Sequence, residues 1–324
     1  MIDIKENILL APYTIYKIGG SARFFVEAGS AEHLREAVAF AIEKHIPFVI
    51  LGAGSNVLIS DKGFNGVVIR MTGGTVTTEG ERMHIDAGVM MARAVMESGR
   101  SALHGFEWGI GVPGTIGGSV RGNAGCFGGE MKDVVESVDV FDSQRSTNYK
   151  LSARSGSASG GQTTNCHFGY RDSIFKKHAE WIILSATLRL QKGNQQTIQQ
   201  EIQRITKERV AKQDIGSKCC GCIFKNVEWL SDASEREVLV KQFPELAVFR
   251  DRPTIPSAFL IDHAGLKGSV QGNVCISDKH ANFFINKGNG TSDDVMALIA
   301  RAKELVKEKY GIELYEEIHL IGFE

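Results

Sequence analysis

The chain lacks any excess of charge: 37 Lys+Arg stand against 38 Asp+Glu over 324 residues. A protein that held nucleic acid by neutralising phosphates would carry a cationic surplus, so wholesale binding to nucleic acid or to an anionic membrane is excluded. No apolar run approaches the roughly 20 residues of a membrane span. The first ten residues, interrupted by Asp3, Lys5 and Glu6, do not read as a secretory signal. Six cysteines in a chain of this length are too few for a disulfide framework and read as reduced thiols, so the expected compartment is the cytoplasm. No internal repeat of 20 to 50 residues is present, which excludes solenoids and propellers. What the chain has in plenty is glycine, 36 residues against an average of about 7 %, without the Gly-x-y period of collagen.

The hydrophobic patterning alternates between periods of 3.6 and 2, as an α+β protein requires. Leu34, Ala37, Val38, Ala41 and Ile42 predict a helix over 31–44, followed by a strand over 48–51, a glycine loop, a strand over 57–60 and another over 67–71. A helix over 90–98, strands over 134–142 and 181–190, and a polar helix over 195–209 with Ile198, Ile202 and Ile205 on one side follow. The last helix has the fullest set of signals. Thr291 caps it, Asp293 and Asp294 sit at its positive end, Lys307 and Lys309 at its negative end, and Gly311 stops it. A terminal strand over 312–321 is expected to put Ile312, Leu314, Ile318 and Leu320 on one face and Glu317 on the other. The polar stretch 155–164 reads as a surface loop, and the domain boundary is placed between 190 and 191.

Two glycine segments are the candidate ligand sites. Gly52-Ala-Gly-Ser-Asn56 leaves an apolar strand, where successive backbone N–H groups can hold a pyrophosphate, although a plain turn explains it equally well. Gly111-Val-Pro-Gly-Thr-Ile-Gly-Gly118 with Asn123-Ala-Gly-Cys-Phe-Gly-Gly129 is costly to order unless a flat or charged ligand lies against the backbone. The P-loop and Rossmann fingerprints are both missing, which leaves an elongated dinucleotide such as FAD on another α+β fold. Cys219-Cys-Gly-Cys222 has no second Cys or His pair to close a zinc site, so no metal is expected. These thiols are either small core residues or include a proton donor, since a thiol with a pKa of about 8.5 is mostly protonated at neutral pH. On spacing alone, Arg171 beside Asp172 and the lone Glu317 are an ordinary ion pair and a solvated carboxylate.

Taken together, the segments resemble the UDP-N-acetylenolpyruvoylglucosamine reductase (MurB) family over 11–322. The resemblance rests on Tyr16-Lys-Ile-Gly-Gly20, Leu51-Gly-Ala-Gly-Ser-Asn-Val-Leu58, the second glycine segment and Phe168-Gly-Tyr-Arg-Asp-Ser173. Further on it rests on Ile223-Phe-Lys-Asn226, Ala264-Gly-Leu-Lys-Gly268, Ser277-Asp-Lys-His-Ala-Asn282 and Glu317. It implies a vanillyl-alcohol-oxidase (PCMH) type FAD-binding domain over 1–190 and a C-terminal α+β substrate-binding domain over 191–324. It implies a UDP-N-acetylmuramate dehydrogenase, in which NADPH reduces FAD and the flavin passes hydride to the enolpyruvyl ether of a UDP-sugar for peptidoglycan synthesis. Those small molecules are the expected partners, with no nucleic acid, membrane insertion or obligate protein partner.

By the same resemblance, Gly52, Ala53, Gly54, Ser55, Asn56 and Val57 contact the pyrophosphate, and Pro113, Gly114, Thr115, Ile116, Gly117, Gly118, Asn123 and Gly125 border the flavin. Arg171 stabilises the charge that hydride addition leaves behind, Glu317 assists by hydrogen bonding, and Cys222 gives the proton from the position where the family usually has Ser. Tyr170, Lys212, Asn226, Lys267 and His280 fall at substrate-side positions. The fifty or so residues between Arg171 and Cys222 match the shorter class of the family, which lacks a tyrosine-bearing loop. Asp214 and Val227 replace usual prolines, and 227–255 and 155–164 read as insertions. Two rivals stay open: another flavoprotein oxidase of the same fold, and a flavin-binding redox sensor using Cys219, Cys220 and Cys222.

Overall fold

The computed structural model describes residues 2–153, 165–212, 214, 216–229 and 233–323, so the stretch 155–164 lies outside them. The class is α+β, in two compact units whose segments interleave along the chain. The first comprises Met1–Leu9, Ser21–Ser55 and Phe64–Ala211; the second comprises Leu10–Gly20, Asn56–Gly63 and Lys212–Glu324.

In the first unit, strands β1 (Ile4–Leu9), β2 (Ser21–Ala28) and β3 (Phe48–Leu51) join a later strand in a four-stranded sheet. Strand β4 (Val57–Ile59) leaves for the second unit, and β5 (Phe64–Met71) returns to lie between β2 and β3, parallel to both. Helix α1 (Ala31–Glu43) covers this sheet. Ser30 accepts a bond from the His33 amide at its start (3.2 Å), and Leu34, Ala37, Val38 and Ala41 are buried against Val26, Val67 and Ile69. Ile42, expected on the same stripe, is 51 % exposed; two turns on from Leu34 the 100° step has carried it to the edge of the buried face.

The unit's other sheet is antiparallel and five-stranded. Its members are β6 (Val76–Glu79), β7 (Arg82–Asp86), β8 (Val135–Asp142), β9 (Thr147–Ser152) and β10 (Trp181–Arg189), in the order β9, β8, β10, β7, β6. Helices α2 (Met91–Arg100) and α3 (Ile116–Arg121) bury Met91, Val95, Ile116 and Val120 in the same core as Ile85, Val138, Ala186 and Leu188. Helix α4 (Gln195–Lys212) adds Ile198 and Ile202 to that core. It therefore belongs to the first unit as far as Ala211, whereas the sequence put the boundary before it.

The second unit centres on α5 (Ala233–Gln242), α6 (Ser257–His263), a short sheet of Val270–Gln271 with β11 (Val274–Ile276) and β12 (Phe284–Asn286), and α7 (Ser292–Tyr310). Thr291 and Asp294 form a reciprocal capping box on α7, and Gly311 ends it at φ 70°. The stretch 227–255 is no surface appendage. Trp229, Val240, Leu246 and Phe249 enter the core with Leu260, Leu298 and Val306, and the Trp229 indole N–H donates to Phe249 O (2.8 Å).

The expected ten-residue terminal strand is only β13 (His319–Ile321), paired in parallel with β4. Leu314 and Ile318 are buried as expected, but Ile321 replaces Leu320, which is 39 % exposed. The period of two breaks where Glu317 N donates to Ile223 O (2.7 Å) and His319 N to Asn56 O (3.0 Å), because the chain changes partner there. No helix among the described residues is long and apolar enough to cross a membrane.

Candidate active site

In the first unit the two glycine segments lie against each other. Ser55 Oγ donates to Pro113 O (3.0 Å). A Cβ on Gly52 would sit 2.5 Å from Thr115 Oγ1, so no larger residue fits. Gly114 adopts φ +132°, and a Cβ there would stand 2.9 Å from Ser55 Oγ. These glycines serve loop–loop contact first, a demand the sequence alone does not reveal.

The two segments differ in what they offer a ligand. Ile116 N donates to Val89 O (2.9 Å), Gly117 N to Ala87 O (2.9 Å) and Gly118 N to the capping Thr115 Oγ1 (3.4 Å), so these amides are already engaged. The amides of Ala53, Gly54 and Ser55 donate to no acceptor among the described residues. Consecutive unengaged backbone donors suit a pyrophosphate. Beside the second segment, the buried Trp108 indole N–H has no acceptor among the described residues, and its ring packs on Gly129. The residues present thus fit a dinucleotide that is anionic at one end and flat and polar at the other.

Tyr170, Arg171 and Gly125, all singled out by the sequence, line one cavity of ≈ 370 Å³ together with Cys126, Glu130 and Lys132. Arg171 is in the left-handed region at φ 51°. Its guanidinium lies 5.4 Å from the Tyr170 ring centroid, donating from Nη2 to Gly125 O (2.7 Å) and from Nη1 to Asn123 O (3.4 Å). Lys176 Nζ in turn donates to Arg171 O (2.6 Å). Asn123 is fully buried, with its amide group donating to Glu130 (3.0 Å) and Gly169 O (2.8 Å) and accepting from Lys132 N (2.9 Å). Its side chain holds the loop together, with both amide hydrogens given to protein acceptors. Burial pushes the Cys126 thiol up, against the pull of the nearby Arg209.

Asn56, Val57 and the remaining candidates belong to the second unit. Asn56 Nδ2 donates to Glu317 O (3.3 Å), so the end of the first glycine loop also holds the backbone of Glu317. Cys222 is half-buried and bridges to Phe283, and Phe224 bridges to Glu316. Asn282 holds this segment. Ile223 N donates to its carbonyl (2.9 Å), and its side chain accepts from Phe224 N (2.9 Å) and donates to Phe224 O (2.8 Å). Nothing in the sequence assigns Asn282 a role of its own; its place at the end of a matching motif is the one signal. Asn226 Oδ1 accepts from Ser257 N (3.3 Å), while Ser257 Oγ donates to Lys225 O.

Cys222 and Glu317 both lie near Cys220, whose thiol is pushed well up by burial first, then by Cys219, Cys222 and Glu317. His280 is held below its ordinary range, chiefly by burial, with Lys267 adding to the effect and Asp214 opposing it; its Nδ1 is buried without a hydrogen-bond partner among the described residues. Lys267 pairs with Asp262 (3.1 Å). Lys212 is the last residue of α4. Among the described residues no group of three or more His, Cys, Asp or Glu side chains is arranged to hold a metal.

Comparison with known proteins bears on the whole chain. Residues 22–148 match the profile described as "FAD binding domain", and residues 213–321 the one described as "UDP-N-acetylenolpyruvoylglucosamine reductase, C-terminal domain". The UDP-N-acetylenolpyruvoylglucosamine reductase of Caldanaerobacter subterraneus subsp. tengcongensis is 35 % identical over 311 residues, 96 % of this chain and 91 % of that protein. That of Clostridium novyi is 33 % identical over 323 residues, covering 99 % of this chain and 93 % of its own. The crystal structure of the Thermus caldophilus enzyme (MurB) superposes with a TM-score of 0.75 at 28 % identity, covering 99 % of this chain and all of that one.

Proposed function

Because the chain belongs to the UDP-N-acetylenolpyruvoylglucosamine reductase family, we propose that NADPH is its reductant and that Arg171, Cys222 and Glu317 act on the enolpyruvyl group. The activity is that of the family: FAD-dependent reduction of UDP-N-acetylenolpyruvoylglucosamine to UDP-N-acetylmuramate, a step of peptidoglycan synthesis. On this reading the first unit is the FAD-binding domain and the second binds the UDP-sugar. The expected setting is the cytoplasm, where six cysteines in a chain of this length stay reduced.

The amides of Ala53, Gly54 and Ser55 would hold the cofactor's pyrophosphate, and the second glycine segment would border its ring. When bound, FAD supplies the hydride. The remaining work falls to the protein's own side chains. Hydride addition at the methylene carbon leaves negative charge on the neighbouring carbon and its carboxylate, and a fixed guanidinium stabilises that charge best when it need not reorganise. Arg171 has such rigidity, since two backbone carbonyls hold its Nη atoms. Glu317 is assigned a hydrogen bond to the enolic oxygen. Cys222 is assigned the proton, given from Sγ to the carbanionic carbon. Lys267, His280, Asn226, Lys212 and Tyr170 are assigned to the UDP-sugar.

The observation that carries the reading is the tie between the acid and the carboxylate. Glu317 N donates to Ile223 O at 2.7 Å, one residue beyond Cys222, while Asn282 holds the same segment from its other side. The test is an anaerobic titration in two steps. In Cys222→Ala, bleaching of the flavin by NADPH should keep the parent rate, while recolouring by the UDP-sugar should slow by about 10²- to 10⁴-fold, the usual contribution of general acid catalysis. Parent-rate recolouring would remove Cys222 from the proton's path.

A further inference from the structure

Between β12 and the segment 218–223 the second unit carries a face lined with thiols. Asn286 N donates to Lys218 O (2.9 Å), Ile223 N to Asn282 O (2.9 Å), and Cys222 bridges to Phe283, so the segment flanks β12 antiparallel to it. On the other edge of β12 lies β11, with Cys275 opposite Ile285. Cys219, Cys275, Phe283 and Ile285 pack as one apolar cluster, and Cys222 packs against it.

Residues three apart on a regular strand point to opposite faces. Here Cys219 and Cys222 share a face, because Gly221 between them turns at φ +80° and shifts the alternation by one. The skipped residue, Cys220, is turned into the larger core with Tyr16, Ile223 and Leu266. Cys275 is on the same face but two strand spacings from Cys222, roughly 10 Å at about 4.8 Å per spacing, beyond the Cα separation of about 7 Å that a disulfide spans. Cys222 is the half-exposed member, and Cys219 Sγ accepts a bond from Ser217 Oγ (3.3 Å).

We propose that Cys219 and Cys222 are a peroxide-sensitive dithiol that closes to a reversible disulfide. The Cys222 thiolate attacks one oxygen of hydrogen peroxide; an S–O bond forms, the O–O bond breaks, and after protonation water leaves a sulfenic acid. Cys219 then attacks that sulfur; the S–S bond forms, the S–O bond breaks, and a second water departs. Two thiols lose two electrons and one peroxide gains them. An external dithiol reverses the step by exchange. The effect on turnover rests on the proton-donor role proposed for Cys222, since a disulfide has no S–H to give; the disulfide itself does not rest on it.

The experiment uses the FAD-loaded enzyme, treated briefly with hydrogen peroxide, quenched with catalase and mapped by non-reducing peptide mass spectrometry alongside turnover. A Cys219–Cys222 link is expected, with turnover falling about tenfold or more as loss of a general acid requires and returning with dithiothreitol. Cys219→Ser and Cys219→Ala should keep parent turnover and form no link, and in them peroxide should leave a Cys222 sulfenic acid that a 1,3-dione traps. No link in the parent, or a link to Cys220 or Cys275 instead, would overturn the proposal. A Cys219–Cys222 link with turnover intact would uphold the disulfide and overturn the proton-donor role.

Discussion

Arg171 shows how much of a functional residue lies outside its own side chain. The Tyr-Arg-Asp-Ser string marked it, yet its usefulness comes from a left-handed backbone at φ 51° and from the carbonyls of Asn123 and Gly125, which hold two guanidinium nitrogens. A lysine ammonium is a single point donor and cannot span both carbonyls in the same way. Arg171→Lys is therefore expected to leave bleaching by NADPH unchanged and to slow the substrate-dependent recolouring by about 10²-fold, the order of effect when one preorganised electrostatic contact is lost. Recolouring at the parent rate would separate Arg171 from the charge it is assigned. Asn123 teaches the complementary lesson. Its place beside the glycines suggested a cofactor contact, but all its side-chain bonds close the 123–132 loop on itself and on Gly169. Glycine and asparagine in a string do not say whether a ligand or another loop is the close neighbour.

Among the elements, those governed by local rules were the legible ones. Helix α7 carries its own start and stop: Thr291 Oγ1 accepts from Asp294 N (3.1 Å), Asp294 Oδ2 accepts from Thr291 N (3.0 Å), and Gly311 ends it. Thr291→Ala should cost about 1 kcal/mol, the typical worth of an N-cap hydroxyl, read as a lower denaturation midpoint with unchanged slope; no shift would mean that packing of Val295, Leu298 and Val306 alone sets the helix. Strand β13 is shorter than its pattern implies, for the opposite reason. An alternating pattern announces extended chain, but the number of residues that pair depends on distant partners. Here the chain leaves the Ile223 carbonyl, meets Asn56 and only then pairs with β4. The 227–255 stretch, which reads as an insertion in the sequence, is likewise part of a core through Trp229, Leu246 and Phe249.

At the scale of the molecule, the chain passes between its two units more often than a linear division allows. Leu10–Gly20 and Asn56–Gly63 belong with Lys212–Glu324. They bring Tyr16, Ile18 and Leu58 into that core, and β4 as the partner of β13. A fragment of residues 191–324, the domain boundary that the sequence suggests, should therefore show no cooperative melting, because an unpaired strand and an opened core leave too little burial to offset chain entropy. A sharp thermal transition with native-like circular dichroism would contradict the interleaved description. The sequence by itself determined the α+β class, the two ends of the last helix, the two glycine segments and the family, since capping, periodicity and motif spacing act over a few residues and survive in a linear string. Only the tertiary structure decided which amides are left to meet a ligand, which thiols share a face and which early segments complete the second unit. Those outcomes depend on contacts between residues far apart in sequence, and no local pattern records where such partners will lie.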